Sequence, residues 1–471
     1  MRCSYWLGGH VGMCPGAFAT PLRSLTACPI RGGSRISWMV EPSWLPRISF
    51  RRLRARLERR GLPRTEGRTM IYAGIDIAKS EHVIGATDER GKDAARPMSF
   101  ANSAGGFERC IAYLEGLADS KAGLLVGMEA TGHYWLPLFC RLQDEGYDVV
   151  VVNPIRTDAM RRFKGSSRVK TDMIDCVLVA ETLRCGDFEP SRLGDEAMIE
   201  LRQLTRLHQE LKESVADLKR QVVVALDQVF PEYDSIFSNT FGESSKAFLR
   251  RCPTPEECLG VRVDSLAKTL ERASRGKLGR EKADEIKGAA RTSCGVSVAA
   301  SAFSFQIKLL IAQIDFIEGQ ISEVEARIRS GVEAVEPLIL TIPGVGHTLG
   351  AQIVSEIGDV RRFHGAPAIV KYAGINPSVS QSGKFSSEDN HITKQGSPYL
   401  RRALYLAAMA QLKLKTPFYD YYSKKRADGK SHREALVAVS RKLVHVIYAV
   451  LSKQEPYDPG IAKGPHGSRS E

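Results

Sequence analysis

From Met70 to Pro190 the chain sets out three strand-like segments in succession and then alternates strands with helices, an order few folds can accommodate. IYAGIDIA, EHVIGATDE and ARPMSFAN have the apolar patterning of strands, and a short turn at Lys79–Ser80 joins the first two. There follow a helix over roughly 104–118, the strand GLLVGMEA, a helix after Thr131, the buried strand YDVVVVN, and helices after Pro154 and Thr171. A meander followed by helix–strand alternation describes a mixed α/β sheet covered by helices.

That order is the one expected of a ribonuclease H-like domain, here over residues 70–190. Its acidic residues fall at telling places. Asp76 closes an apolar strand, Glu129 ends LLVGMEATGHYW, and Asp172 and Asp175 occur in RVKTDMIDC. An aspartate at the end of an apolar strand is costly to desolvate without a partner, and a divalent cation is one such partner. Asp172 and Asp175 are spaced i, i+3, so a helix presents both from one face. Taken singly, Asp76 could cap a turn, Glu129 could be a surface residue, and D-x-x-D could be a helix-capping device. Together the four carboxylates would hold one or two Mg²⁺ ions, with Mn²⁺ as the substitute, against a phosphodiester.

A net charge of +13 calls for an acidic partner, but it is unevenly distributed. Residues 1–69 contain thirteen Arg, no Lys and three Glu, together with three of the four Trp, and have neither helical nor strand periodicity. This leader reads as an upstream start-site extension, with a basic nucleic-acid-binding arm as the alternative. The ten cysteines include no CxxC pair, so neither a zinc knuckle nor a disulfide framework is indicated, and reduced thiols are expected. No uninterrupted apolar run approaches the roughly 20 residues of a membrane span.

The central region, 195–335, reads as helical. Leu204, Leu211, Val215, Leu218, Val222 and Val229 follow a 3–4 repeat, as do Leu310, Ile314, Ile317, Ile321, Val324 and Ile328. Both runs fit a coiled coil, long antiparallel helices or two core helices of a bundle, a spacer that also offers a dimerisation surface. An insertion of short helices near 232–300 separates them. In the mostly helical 336–452 region, LTIPGVGHTLGAQIVSEIG resembles a helix-hairpin-helix, in which Gly344 and Gly346 would let backbone N–H groups approach a phosphate. A helical hairpin packed only on protein is the alternative. The Ser/Gly-rich PSVSQSGK carries Ser378, Ser380 and Ser382, with Lys384, Lys394, Arg401 and Arg402 grouped around it. A serine there could attack a phosphodiester if those cations stabilised the phosphorane; a plain flexible loop is the other explanation.

GIDIAKSEHV, GMEATGHYW, VVVVNPIRTDAMR and RVKTDMIDC, followed by IPGVGHTLGAQIVSEIG, YAGINPSVSQSGK and ITKQGSPYLRRAL, resemble the IS110-family transposases of bacterial insertion sequences. The likeness covers residues 70 to about 452, apart from the insertion. It implies a RuvC-like domain whose DEDD tetrad falls on Asp76, Glu129, Asp172 and Asp175, and a C-terminal transposase domain whose nucleophilic serine falls on Ser382. It further implies Mg²⁺ dependence, double-stranded DNA as substrate, excision and reinsertion of a mobile element, and guidance by a structured (bridge) RNA. A dimer or tetramer in the bacterial cytoplasm, at the nucleoid, is expected, with residues 453–471 as a disordered tail. A RuvC-like junction-resolving endonuclease using water, or a non-catalytic DNA-binding protein, are the alternatives.

Overall fold

The computed structural model describes residues 70–460, apart from 130–132, 165–171, 187, 189–190, 192–195, 378–380, 383–384 and 387–390; the side chains of residues 381, 382, 385 and 386 are also outside the description. The leader, Ser378, Ser380, Lys384 and residues 461–471 of the tail therefore lie outside it.

The meander and the alternation both form. Strands β1 (Ile71–Asp76), β2 (Glu81–Thr87) and β3 (Asp93–Ala101) pair antiparallel in turn, whereas β4 (Leu124–Glu129) and β5 (Asp148–Val152) add to the other side of β1 in parallel. The order is β3-β2-β1-β4-β5. Strand alternation sorts the side chains between two faces. Ala73, Ile75, Val126, Met128 and Val149 are buried with residues of α1 (Ala104–Glu115) and α2 (Trp135–Asp144), among them Ile111, Leu114, Leu138 and Leu142. On the other face Val150 and Val152 pack with Val179 and Leu183 of α4 (Asp172–Cys185). Helix α3 (Pro154–Phe163), capped by Asn153 and opened by Pro154, lies against α4.

A row of glycines brings α4 close to the sheet. Gly85, Gly74 and Gly127 are register partners on β2, β1 and β4. A Cβ at Gly74 would stand 2.1 Å from the Cys176 carbonyl oxygen and 2.4 Å from Ala180 N. At Gly85 it would meet Cys176 Sγ at 2.8 Å, and at Gly127 Leu183 Cδ1 at 2.6 Å. The α4 backbone therefore rests directly on β1.

Helices α5 (Glu196–Val229) and α10 (Ala300–Val335) pack on each other antiparallel, tied by His208–Glu325 and Lys219–Glu318 contacts of 2.8 and 2.9 Å. Both heptad-like seams are thus used within one chain. The insertion folds as α6 (Glu243–Arg251), α7 (Pro255–Gly260), α8 (Val263–Ser274) and α9 (Arg280–Arg291). These share a core with Val222, Val229, Ile307 and Ile314 of the long helices. The other ends of that helical pair, through Leu201, Ile328 and Val332, enter a second core with α11 (His347–Ile357), α12 (Ala366–Tyr372), α13 (Pro398–Lys413), α14 (Pro417–Ala427) and α15 (His432–Lys453). The cores therefore divide the helical pair crosswise. By length and composition alone α10 and α15 are apolar enough to cross a membrane, although neither contains an uninterrupted apolar run of that length. Isolated charged residues interrupt their apolar runs without removing the overall hydropathy, and each helix buries an apolar face in these cores.

Candidate functional site

Asp76 and Glu129 lie two residues beyond Gly74 and Gly127, so they share the α4 side of the sheet, at the C-terminal ends of two parallel neighbours. Adjacent strands run about 4.8 Å apart, so the two backbones are close. Asp175 sits in the first turn of α4, next to the residue that meets Gly74, and is 8% exposed. Burial pushes the adjacent Cys176 thiol up to about 12, and the nearby charges of Asp76 and Asp175 add to the shift. Asp76, Glu129 and Asp175 thus gather at one end of the sheet. Asp172, the first residue of α4 and in the same turn, is exposed. Among the described residues no three acidic or metal-ligating side chains converge as a ready-made cation cage.

Helix α3 supplies contacts that sequence reasoning missed. Thr157 is buried; its Oγ1 lies 2.8 Å from Glu129 Oε2, to which it donates, and 2.9 Å from the Pro154 carbonyl oxygen. Arg161 Nη2 stands 2.9 Å from Asp175 Oδ1. Even so, that oxygen is fully buried and accepts no hydrogen bond, so the contact is one of charge without an aligned N–H. A buried carboxylate oxygen with an unused lone pair suits a divalent ion, and in this respect the residues fit Mg²⁺. The i, i+4 spacing of Thr157 and Arg161 in NPIRTDAMR was the available signal, but their acidic partners come from other elements.

In the C-terminal region the described residues on either side of the Ser-rich segment pair with one another. Residues 372–376 pair with residues 393–397: Lys394 N donates to Gly374 O at 3.1 Å, Thr393 N to Asn376 O at 3.0 Å, and Ser397 N to Tyr372 O at 2.9 Å. Farther out, β6 (Gln381–Ser382) pairs with β7 (Phe385–Ser386), and Ser382 is opposite Phe385. Ser382 thus lies near the end of a hairpin. Of the expected cations, Lys394 is exposed with φ 53°, and Arg402 is exposed, 4.0 Å from Glu213. Arg401 is half-buried and donates from Nη1 to the Ala373 carbonyl at 3.1 Å, so its guanidinium supports the base of the hairpin.

The glycine turn divides its roles. Gly344, at φ 76°, faces α13, where a Cβ would meet Ala410 Cβ at 3.0 Å. Gln411 Nε2 also donates to the neighbouring Pro343 carbonyl. Gly346 is the N-cap of α11 and is exposed, with open space where its Cβ would be. Gly344 therefore packs on protein, while Gly346 leaves a helix N-terminus open to solvent.

The sequence that builds the carboxylate-edged sheet and the helical domain matches two transposase family models. Residues 73–231 match the DEDD transposase family model of the IS110 group, and residues 336–423 match the model described as "Transposase IS116/IS110/IS902 family". The 44.8 kDa protein of insertion element IS116 from Streptomyces clavuligerus is 26% identical over 394 residues, spanning 83% of this chain and 96% of the relative. The pilin gene-inverting protein of Moraxella bovis is 25% identical over 391 residues, 83% of this chain and 98% of the relative. The transposase for insertion sequence element IS1111A of Coxiella burnetii is 28% identical over 145 residues, 30% of this chain and 40% of the relative. The protein is a transposase, an enzyme of DNA recombination. It belongs to the IS110 family.

Proposed function

We propose that this transposase cuts and rejoins DNA at a site built from the carboxylates Asp76, Glu129, Asp172 and Asp175 and the hydroxyl of Ser382, excising a mobile element and inserting it elsewhere. The observation that carries the carboxylate half is the common edge: Asp76 and Glu129 on one face of adjacent parallel strands, with buried Asp175 in the first turn of the helix that rests on that face. Bound there, Mg²⁺ would neutralise charge on the scissile phosphate and polarise it. The carboxylates' own work is to fix the position of that charge. Thr157 restrains Glu129, and the α4 backbone on Gly74 restrains Asp175.

In the covalent step the Ser382 hydroxyl would lose its proton and form an O–P bond, while one deoxyribose oxygen leaves the phosphate and takes up a proton. Attack by the hydroxyl of another strand would reverse the chemistry and free the serine. Lys384, Lys394 and Arg402 are the cations proposed to face the phosphates, with Gly346 at the open N-terminus of α11 as a further phosphate contact. The pilin-inverting relatives support rearrangement of DNA segments as the overall outcome. Guidance by a structured RNA and assembly of copies through the helical spacer complete the reading; their support is the family likeness alone.

The test is cleavage of an element-end DNA by the purified protein with Mg²⁺. Asp76→Ala, Glu129→Ala, Asp172→Ala and Asp175→Ala should each lose cleavage and still bind DNA. Full cleavage by any two of them would eliminate the tetrad. Cleavage that depends on the carboxylates but never links protein to DNA would favour the water-using endonuclease.

A further inference from the structure

Arg161 brings a positive charge to the carboxylate edge. Its side chain is 19% exposed and that of Asp175 is 11% exposed, so the pair is shielded from solvent. Attraction between opposite charges is stronger there than at the surface. The approach is 2.9 Å, but Asp175 Oδ1 accepts no hydrogen bond. The guanidinium therefore balances the carboxylate's charge at contact distance, with its N–H out of line for a hydrogen bond to that oxygen. One turn earlier on the same helix face, Thr157 holds Glu129 by its hydroxyl. A single face of α3 thus controls two of the candidate carboxylates, one through a hydrogen bond and one through charge. Neighbouring Arg162 is already paired with Asp158 at 2.6 Å, which leaves Arg161 as the member of that pair of arginines directed at the site.

We propose that Arg161 is a positioning residue for the carboxylate site: a resident cation that balances Asp175 before a divalent ion arrives and is displaced when one binds. The inference rests on the metal-site reading above. A divalent ion brought to Asp175 would meet the guanidinium's positive charge at close range, and the repulsion is strong in a shielded site. Displacing the arginine must therefore weaken the apparent affinity for the ion. The benefit is that Asp175, which an unpaired buried charge would destabilise, remains oriented in the ion-free protein.

The experiment uses the full chain without DNA and Mn²⁺ as the probe, following free Mn²⁺ by electron paramagnetic resonance and stability by thermal melting. Arg161→Met keeps bulk and removes charge. It should melt at a lower temperature than the parent without metal, bind Mn²⁺ about tenfold more tightly, and gain more stability from it. Arg161→Lys keeps the charge and should bind Mn²⁺ within about threefold of the parent. Arg161→Gln repeats the uncharged measurement if the Met variant does not fold. Equal or weaker Mn²⁺ binding in the uncharged variant overturns the role of Arg161 while leaving the metal site standing. If neither the parent nor the uncharged variant binds Mn²⁺ at millimolar concentration, the metal site itself fails, and this inference with it.

Discussion

Arg206 Nε donates to Glu356 Oε1 at 2.8 Å, joining residues 150 positions apart in the chain. Glu356 is 1% exposed, and its second oxygen accepts from Ser397 Oγ at 2.8 Å. Ser397 Oγ in turn accepts from Leu400 N as the N-cap of α13. One buried carboxylate therefore connects α5, α11 and the helix that leaves the serine hairpin.

Glu356→Ala should destabilise the protein by about 3 kcal/mol, because it strands the arginine's charge and removes the acceptor for the cap. Urea unfolding measures this. Glu356→Gln, which keeps the shape and a carbonyl acceptor, should lose less. Equal stability of the Ala variant and the parent would show that the connection carries no energy.

The glycine row makes a graded prediction. Gly74→Ala drives a methyl into the α4 backbone, which cannot move without leaving the sheet, and should cost about 3 kcal/mol. Gly127→Ala meets only the end of the Leu183 side chain, which can turn aside, and should cost about 1 kcal/mol. Thermal melting ranks the two. The reverse order would mean that α4 does not rest on β1 as described.

Acid should loosen the insertion end of the helical pair. Buried Lys246 bridges Asp315 and Glu318 at 3.0 Å each, and Arg250 also reaches Asp315. Burial alone would raise the Asp315 and Glu318 carboxyls. Hydrogen bonds from Arg250 and Lys246 to Asp315, and from Lys219 and Lys246 to Glu318, outweigh it and hold both below their ordinary values of 3.8 and 4.5. Depressed carboxyls stabilise the fold above the unfolded values, and that contribution is lost as pH falls through the folded ones. Stability should therefore decline below about pH 4.5, and Lys246→Met should flatten the decline. Hydrogen exchange of α6 and α10 amides across that range reads it.

The sheet was legible because strand periodicity and buried runs are local properties, and Asp76 and Glu129 announced themselves by ending such strands. Asp175 was legible as a candidate, but its pairing with Arg161 was not, since the two meet through the packing of α3 on α4. The glycine row was equally hidden: each glycine looks ordinary in its own strand, and only the register aligns Gly85, Gly74 and Gly127. Heptad-like spacing correctly marked the long helices, but could not distinguish a partner in another chain from one further along the same chain. The serine segment read as a loop because its pairing depends on the closing contacts of Gly374 and Asn376 with Lys394 and Thr393.

Ser382 supplies the most exposed prediction. If its oxygen forms the bond to phosphate, a suicide DNA substrate with Mg²⁺ should leave DNA attached to the peptide containing GINPSVSQSGK through a phosphoserine. Ser382→Ala removes a single oxygen and leaves the hairpin's closing contacts, Lys394 and Arg402 intact, so it should bind DNA as the parent does and form no adduct. Ser378→Ala and Ser380→Ala should keep the adduct. Gly396→Ala is a different kind of control: at φ 136° a Cβ would lie 1.9 Å from the Tyr372 carbonyl oxygen, so the hairpin base must open. Its adduct yield should fall at least tenfold with Ser382 still present, because a displaced nucleophile loses the alignment on which attack depends. Peptide mapping decides the assignment. An adduct on Ser378 or Ser380 moves the nucleophile within the same segment, whereas full-rate cleavage by Ser382→Ala with no adduct makes water the attacking group.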